Sequence, residues 1–374
     1  MKTRREFIRD MLLASMILGG SCISGGCSPS SREGFASRDF KEQNDVLLLG
    51  PEGHTILHNA SLAPSGHNSQ PWRVRICKHN EWVIEADPAR RLPCVDPDNR
   101  ELLLSLGAFL ENLLITAATF GLHAEIDIMA KNCYDREIVR LVFQEGPLRQ
   151  FRLQTLKKRR TVKCGQLPRS LASSDLTRLM ATAEEQVIYA ARGSKQAAFI
   201  AEAAVEAFRL QSHREEAQRE FVRWLRLERA EVMRHRDGIT TDSMEISGVA
   251  GWYVNNFLSP SDFLTGTMRQ KGIDATAALA REGGGWLLLT SQGQTVAELL
   301  DCGRRFQQLA LTACELGIAI HPMTQILEEG GASSLHEVLG GNAHTPQFVL
   351  RVGYLDKYPV AAALRRPVSW FVYS

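Results

Sequence analysis

The strongest constraint on this chain is a match between two of its own segments. Leu103, Leu104, Gly107, Leu113, Thr116, Ala117 and Gly121 recur without a gap as Leu299, Leu300, Gly303, Leu309, Thr312, Ala313 and Gly317, at one constant offset of 196 residues. Both segments carry apolar residues at helical spacing and end on a glycine suited to a C-cap. Each then runs into an apolar strand, Ala124 to Met129 after the first and Ile318 to His321 after the second. Equal glycine spacing at both ends favours an internal duplication over chance likeness of two amphipathic helices. The expected architecture is α+β, with two pseudo-symmetric lobes over 46–150 and 151–374, and 374 residues suffice for it.

The remaining pattern fits that plan. A helix is expected from Glu52 to Leu62, then a hairpin of Trp72 to Cys77 and Trp82 to Ala86, and a strand over Ile138 to Phe143. Helical stretches are expected over Ser174 to Arg192, Lys195 to Gln211 and Glu215 to Arg234, with irregular chain over 236–282. Trp286 to Thr290 and Phe348 to Tyr354 read as central strands. The second lobe thus carries a mostly helical insertion, expected as a lid over about 213–275. Lys plus Arg number 44 against 42 Asp plus Glu, so no basic field exists to recruit nucleic acid. Eight cysteines without a Cys-x-x-Cys pair exclude a disulfide scaffold and a zinc ribbon.

The first 27 residues read as an address. Arg4-Arg5-Glu6-Phe7 precedes an apolar run from Met11 to Leu18 that is too short to span a bilayer. The paired arginines resemble the twin-arginine export signal. Ser24-Gly25-Gly26-Cys27 is similar to a lipoprotein processing box; Cys22 lies nearby, and 28–45 would be a tether. Export to the periplasm or to a membrane-anchored position is expected.

Three motifs carry chemistry. Ala63-Pro64-Ser65-Gly66-His67-Asn68-Ser69-Gln70-Pro71-Trp72 links a helix to a strand. Its small residues allow close approach, and its amides suit the edge of a planar heterocycle, although an ordinary turn has the same composition. Lys157 to Lys163 is basic, and Arg159, Thr161 and Lys163 alternate. On extended chain they share one face, which suits a phosphate and a polyol. Beyond the last apolar strand stand Arg365 and Arg366. His54 with His58, and Asp96 with Asp98 and Glu101, have metal-like spacing; helix content and an N-cap account for them more simply. No Gly-x-Gly-x-x-Gly follows a strand, so no Rossmann site is expected.

In this order the motifs resemble the FMN-dependent nitroreductase family, over about residues 50–370. The resemblance implies a nitroreductase-like fold and FMN as cofactor. It makes Arg159, Thr161 and Lys163 the phosphate and ribityl clamp. It sets Pro64, Ser65, Gly66 and Asn68 against the isoalloxazine ring, with His67 and Gln70 beside them. Met323, Thr324 and Gln325 would lie near the flavin N5, and Arg365 with Arg366 would complete the phosphate site. NAD(P)H is the implied donor and a nitroaromatic or quinone the implied small-molecule acceptor. No side chain is nominated as acid, base or nucleophile, and no metal is expected.

The family's usual order has the clamp before the Pro-Ser loop; here the loop comes first. Each lobe therefore keeps what the other has lost, and one chain would mimic the family's homodimer as a monomer with one FMN. That is similar to the divergent Acg-like branch, as are Asp87 to Pro93, Asp96 to Leu102 and Pro346 to Tyr354. A second class stays open: a lid closed over FMN would make a storage or sequestering protein without turnover.

Overall fold

The computed structural model describes residues 49–151, 153–183, 186–338 and 344–374. The export signal, Cys22, Cys27 and the tether lie outside the described residues. In chain order the elements are α1 Gly50–Ala60, β1 Trp72–Lys78, β2 Glu81–Ala86, α2 Arg100–Ala118, β3 Leu122–Ile128, β4 Glu137–Glu145, α3 Leu153–Lys158, α4 Ser173–Met180 and β5 Val187–Ala191. There follow α5 Lys195–His213, α6 Glu215–Arg223, α7 Arg229–His235, α8 Thr241–Met244, α9 Gly248–Phe257, α10 Gly266–Ala280, β6 Gly285–Ser291, α11 Val296–Glu315, β7 Ile318–Pro322, α12 Gln325–Glu328, α13 Ala332–Val338, β8 Thr345–Tyr354 and β9 Val372–Tyr373.

The fold is α+β, with two sheets of one topology. One sheet runs β3-β4-β2-β1-β9 and the other, read from the matching edge, β7-β8-β6-β5. In each lobe two antiparallel strands come first, then the long helix, then a second antiparallel pair. The lobes differ most at the joint between their first two strands. Lobe one links β1 to β2 by a tight turn, whereas lobe two inserts α5 to α10 between β5 and β6. The C-terminal strand β9 leaves the second lobe and pairs parallel with β1 of the first.

The matched helices meet each other. A Cβ on Gly107 would stand 2.1 Å from the Leu300 carbonyl oxygen, and one on Gly303 would stand 2.1 Å from that of Leu104. Leu300 is the counterpart of Leu104, so the contact is reciprocal, as across a two-fold axis. The polar pairs repeat the rule: Gln308 Nε2 donates to Glu111 Oε1 at 2.8 Å and Gln307 Nε2 to Asn112 Oδ1 at 2.7 Å. α2 is long and apolar enough to cross a bilayer, but 78% of that stretch is buried in the protein. An all-round apolar helix belongs in a core, and one contiguous core joins Leu103, Leu106 and Leu113 to Leu299, Phe306 and Leu309.

Three sequence expectations are corrected. Ser174 to Arg192 is not one helix: α4 stops at Met180, and Val187 to Ala191 forms β5. The β-branched and aromatic run Val187-Ile188-Tyr189 gains a ladder against β6 that outweighs helical spacing. Glu215 to Arg234 breaks after Arg223. The stretch 236–282 is largely helical, its glycines absorbed in α9 and α10.

Gly107→Ala should destabilise the protein by about 1–3 kcal/mol, because backbone must move to admit the methyl. Ala is otherwise the better helix former by ~1 kcal/mol. Gly303→Ala should behave alike, and the double variant should cost less than the sum, since the helices part once. Denaturant midpoints check this; a neutral Gly107→Ala contradicts the close crossing.

Candidate functional site

A cavity of about 1670 Å³ lies between the lobes and under the insertion. Typical single-ligand pockets hold roughly 300–1,000 Å³, so this one has room for a cofactor and a second molecule. Arg159, Thr161 and Lys163 line it, as do Pro64, Ser65, Gly66, His67 and Asn68. Met323, Thr324, Gln325 and Arg365 line it too. Gln70 and Arg366 do not. The Gln70 side chain is fully buried behind the loop, where its Oε1 accepts from the Arg366 amide at 2.9 Å and its Nε2 donates to the Arg236 carbonyl at 2.8 Å. The Arg366 guanidinium donates to the Gln70 and Trp72 carbonyls at 2.6 and 2.9 Å, and burial lowers its pKa to about 9. Both residues hold the loop from behind, a direction that sequence neighbours do not reveal.

The loop is strained. His67, Asn68 and Gln70 have φ near +50°, a region costing non-glycine residues of order 1–3 kcal/mol each. Both non-local contacts and contacts within the loop hold it. Arg365 Nη1 donates to Asn68 Oδ1 at 2.9 Å, Asn68 Nδ2 donates to the Gly238 carbonyl at 3.2 Å, and the Gln70 amide donates to Ser65 Oγ at 2.9 Å. Burial, only partly offset by Glu101, lowers the His67 pKa to about 4, so its ring is neutral.

The 159–163 segment is cationic, and its Arg159 is buried, only 4% exposed. Its Nη2 donates to the Leu62 carbonyl at 2.9 Å, while its Nε has no hydrogen-bond partner. Among the described residues no carboxylate lies within ion-pair distance of it, and burial lowers its pKa. Burial also lowers that of Lys163, against the pull of Glu245. Arg365 is held by backbone carbonyls, including those of Ser61 at 2.7 Å and Ala63 at 3.0 Å.

Several residues that matter here carried no sequence signal. Glu245 bridges insertion and clamp: Arg160 Nη2 lies 3.0 Å from its Oε1, and the amides of Lys163 and Cys164 donate to its Oε2 at 3.0 and 2.7 Å. The insertion's Asp237 lies 2.9 Å from Arg90 and 3.0 Å from Arg226. Glu101 and Glu328 share Thr324, whose hydroxyl lies 3.0 Å from Glu101 Oε1 and 3.3 Å from Glu328 Oε1. A hydroxyl has one proton to give, so it bridges both only when one carboxyl is protonated. Glu328 is that one: burial, then the charge of Glu101, holds its pKa well above the ordinary range. The Met323 amide donates to Val349 at 2.8 Å and is spent within the sheet. A donor from 322–325 must therefore be a later amide. Asp96 caps α2, accepting from the Glu101 and Leu102 amides at 3.0 and 2.9 Å, as the N-cap reading expected. No group of three or more metal-ligating side chains occurs among the described residues.

No protein-family model matches the chain. Rv3131 of Mycobacterium tuberculosis, provisionally named an NAD(P)H nitroreductase, is 40% identical over 73 residues, which span 20% of this chain and 21% of that relative. Acg of the same organism, named likewise, is 25% identical over 343 residues, covering 87% of this chain and 96% of its own length. The solved FMN-dependent nitroreductase NfnB from Mycobacterium smegmatis, in complex with NADPH, is similar with a TM-score of 0.35 and 17% identity, over 56% of this chain and 92% of that one.

Glu328 yields a pH test. Its folded pKa is raised, so its contribution to stability is lost as pH rises through that value. Glu328→Gln escapes the loss and should gain on the wild type as pH rises from about 5 to about 8. The buried histidines, depressed in the folded state, lose stability below about pH 6.5 in both proteins and cancel in the difference. A pH-independent gap in thermal midpoint contradicts a protonated Glu328.

Proposed function

We propose that this chain is an FMN-dependent oxidoreductase of nitroreductase type, passing electrons from NAD(P)H to a nitroaromatic or quinone-like acceptor. The observation that carries it is Arg159, a buried guanidinium with no counter-ion and an unpartnered Nε among the described residues, on the wall of a large cavity. An uncompensated buried charge is costly, and a phosphate would compensate it. The Acg relative, matched along nearly its whole length, supports the same reading.

Arg159, Thr161, Lys163 and Arg365 would hold the phosphate and polyol, and the 64–68 loop and 323–325 the ring. Bound there, FMN would supply two-electron transfer. The chain's own work is to orient the ring, hold positive charge near its electron-rich edge through Lys163, and exclude water with the insertion. The polar and apolar walls together leave space for the acceptor. We further propose export by the twin-arginine route, to the periplasm or to a membrane anchor formed by the signal or a lipid at Cys27. The working form would be a monomer with an internal pseudo-dimer, without a nucleic-acid partner.

A second reading has its own support. The insertion is bonded to both lobes, through Glu245 to Arg160 and through Asp237 to Arg90. A cover that stays shut would store FMN without turnover.

The purified chain should carry one FMN. Arg159→Met should weaken FMN about 10- to 100-fold, the span of a charged hydrogen bond, and leave riboflavin, which lacks the phosphate, unchanged. Equal loss for both flavins contradicts the phosphate assignment. Bleaching by NADPH followed by reoxidation with menadione supports the enzyme; flavin that neither reagent alters supports storage.

A further inference from the structure

His321 lines the cavity near the end of β7. Directly opposite it in the ladder, on β8, stands Arg351. Arg351 is fully buried, and its Nη2 lies 3.2 Å from His321 Nδ1 and donates to the Lys163 carbonyl. A guanidinium has only protons to give. Nδ1 must therefore carry the lone pair, and the ring proton sits on Nε2, the one ring nitrogen left for the cavity.

Arg351 is otherwise thinly bonded. Its Nε and Nη1 have no hydrogen-bond partner among the described residues, and Glu282 lies 3.8 Å from Nη1. The charged groups facing the ring are Arg351 from β8 and Lys163 from the clamp. Glu282, Glu245 and Cys164 face those two cations in turn. Burial, then Arg351 and Lys163, keeps the imidazole neutral. A neutral imidazole N–H of fixed tautomer is a donor that cannot collapse into an ion pair, which suits an oxygen whose negative charge grows during reaction.

We propose that His321 donates its Nε2–H to an oxygen of the electron acceptor, a quinone carbonyl or a nitro oxygen, and that Arg351 is the positioning residue that fixes its tautomer. The proposal rests on the oxidoreductase reading above. For a quinone, the acceptor takes two electrons and one proton as a hydride equivalent from a reduced flavin. The second proton comes from water, and His321 keeps its own. The flavin carries carbonyl oxygens of the same chemistry, and the test separates the two sources.

The first arm needs no flavin. Long-range ¹H–¹⁵N spectra of the ¹⁵N-histidine-labelled chain, with His321 assigned by the loss of its signals in His321→Gln, should show the Nε2–H form throughout pH 5 to 8. An Nδ1–H form or an imidazolium at pH 6 overturns the proposal. Arg351→Met should release the ring to titrate in that range; if that variant does not fold, the wild-type titration still decides. The second arm uses the flavin-loaded protein. His321→Leu should slow reoxidation by menadione at least tenfold while reduction by NADPH stays within about twofold, and His321→Gln, which keeps a donor, should recover most of the loss. Unchanged reoxidation in His321→Leu overturns the proposal. So does a shifted flavin spectrum or weakened FMN binding with the menadione step intact, which would assign the oxygen to the flavin. A chain that binds no flavin fails the functional reading, while the first arm still reports on the tautomer.

Discussion

Everything else in the fold hangs on the crossing of α2 and α11. Two helices can approach so that backbone meets backbone only where neither carries a Cβ, and Gly107 and Gly303 supply that. The close approach brings the flanking leucines and phenylalanines of both lobes into one core. It also sets the distance between the sheets, and hence the width of the cavity between them.

The site stores free energy in two forms. One is backbone strain, in consecutive left-handed conformations at His67 and Asn68 and again at Gln70. The other is desolvated charge, in Arg159, Lys163 and Arg351. Neither persists unless the surroundings over-determine it. Here the surroundings are Arg365 and Arg366, whose guanidinia tie the loop to the C-terminal tail through backbone carbonyls. The tail is in turn fastened by β9, which adds to the sheet of the first lobe. The last residues of the chain thus brace a loop made near its beginning.

Legibility followed locality. The repeat was visible because helix spacing and terminal glycines are properties of short windows. The 63–72 loop and the 159–163 segment were visible because each is contiguous, and their candidate site residues line one cavity apart from Gln70. Gln70 and Arg366 were misjudged because adjacency in sequence does not say which way a side chain turns. β5 was hidden because Val187 to Ala191 becomes a strand through a partner a hundred residues away. Glu245, Glu328 and the His321–Arg351 pair were invisible for the same reason: each acquires its role only from a residue brought in by the fold.

The insertion explains why two similar lobes need not make two similar sites. It replaces the short turn between the first two strands, a turn that lobe one retains between β1 and β2. One position of the pseudo-two-fold pair is therefore roofed by α5 to α10, and its counterpart has only a hairpin turn from which no roof can grow. The roof also reaches the clamp, because Glu245 comes from the insertion and accepts from the amides of Lys163 and Cys164. Lobe two thus gains from its insertion a carboxylate beside Arg160 and the Lys163 amide, while Arg159 is buried against the Leu62 carbonyl of lobe one with no carboxylate in ion-pair distance among the described residues.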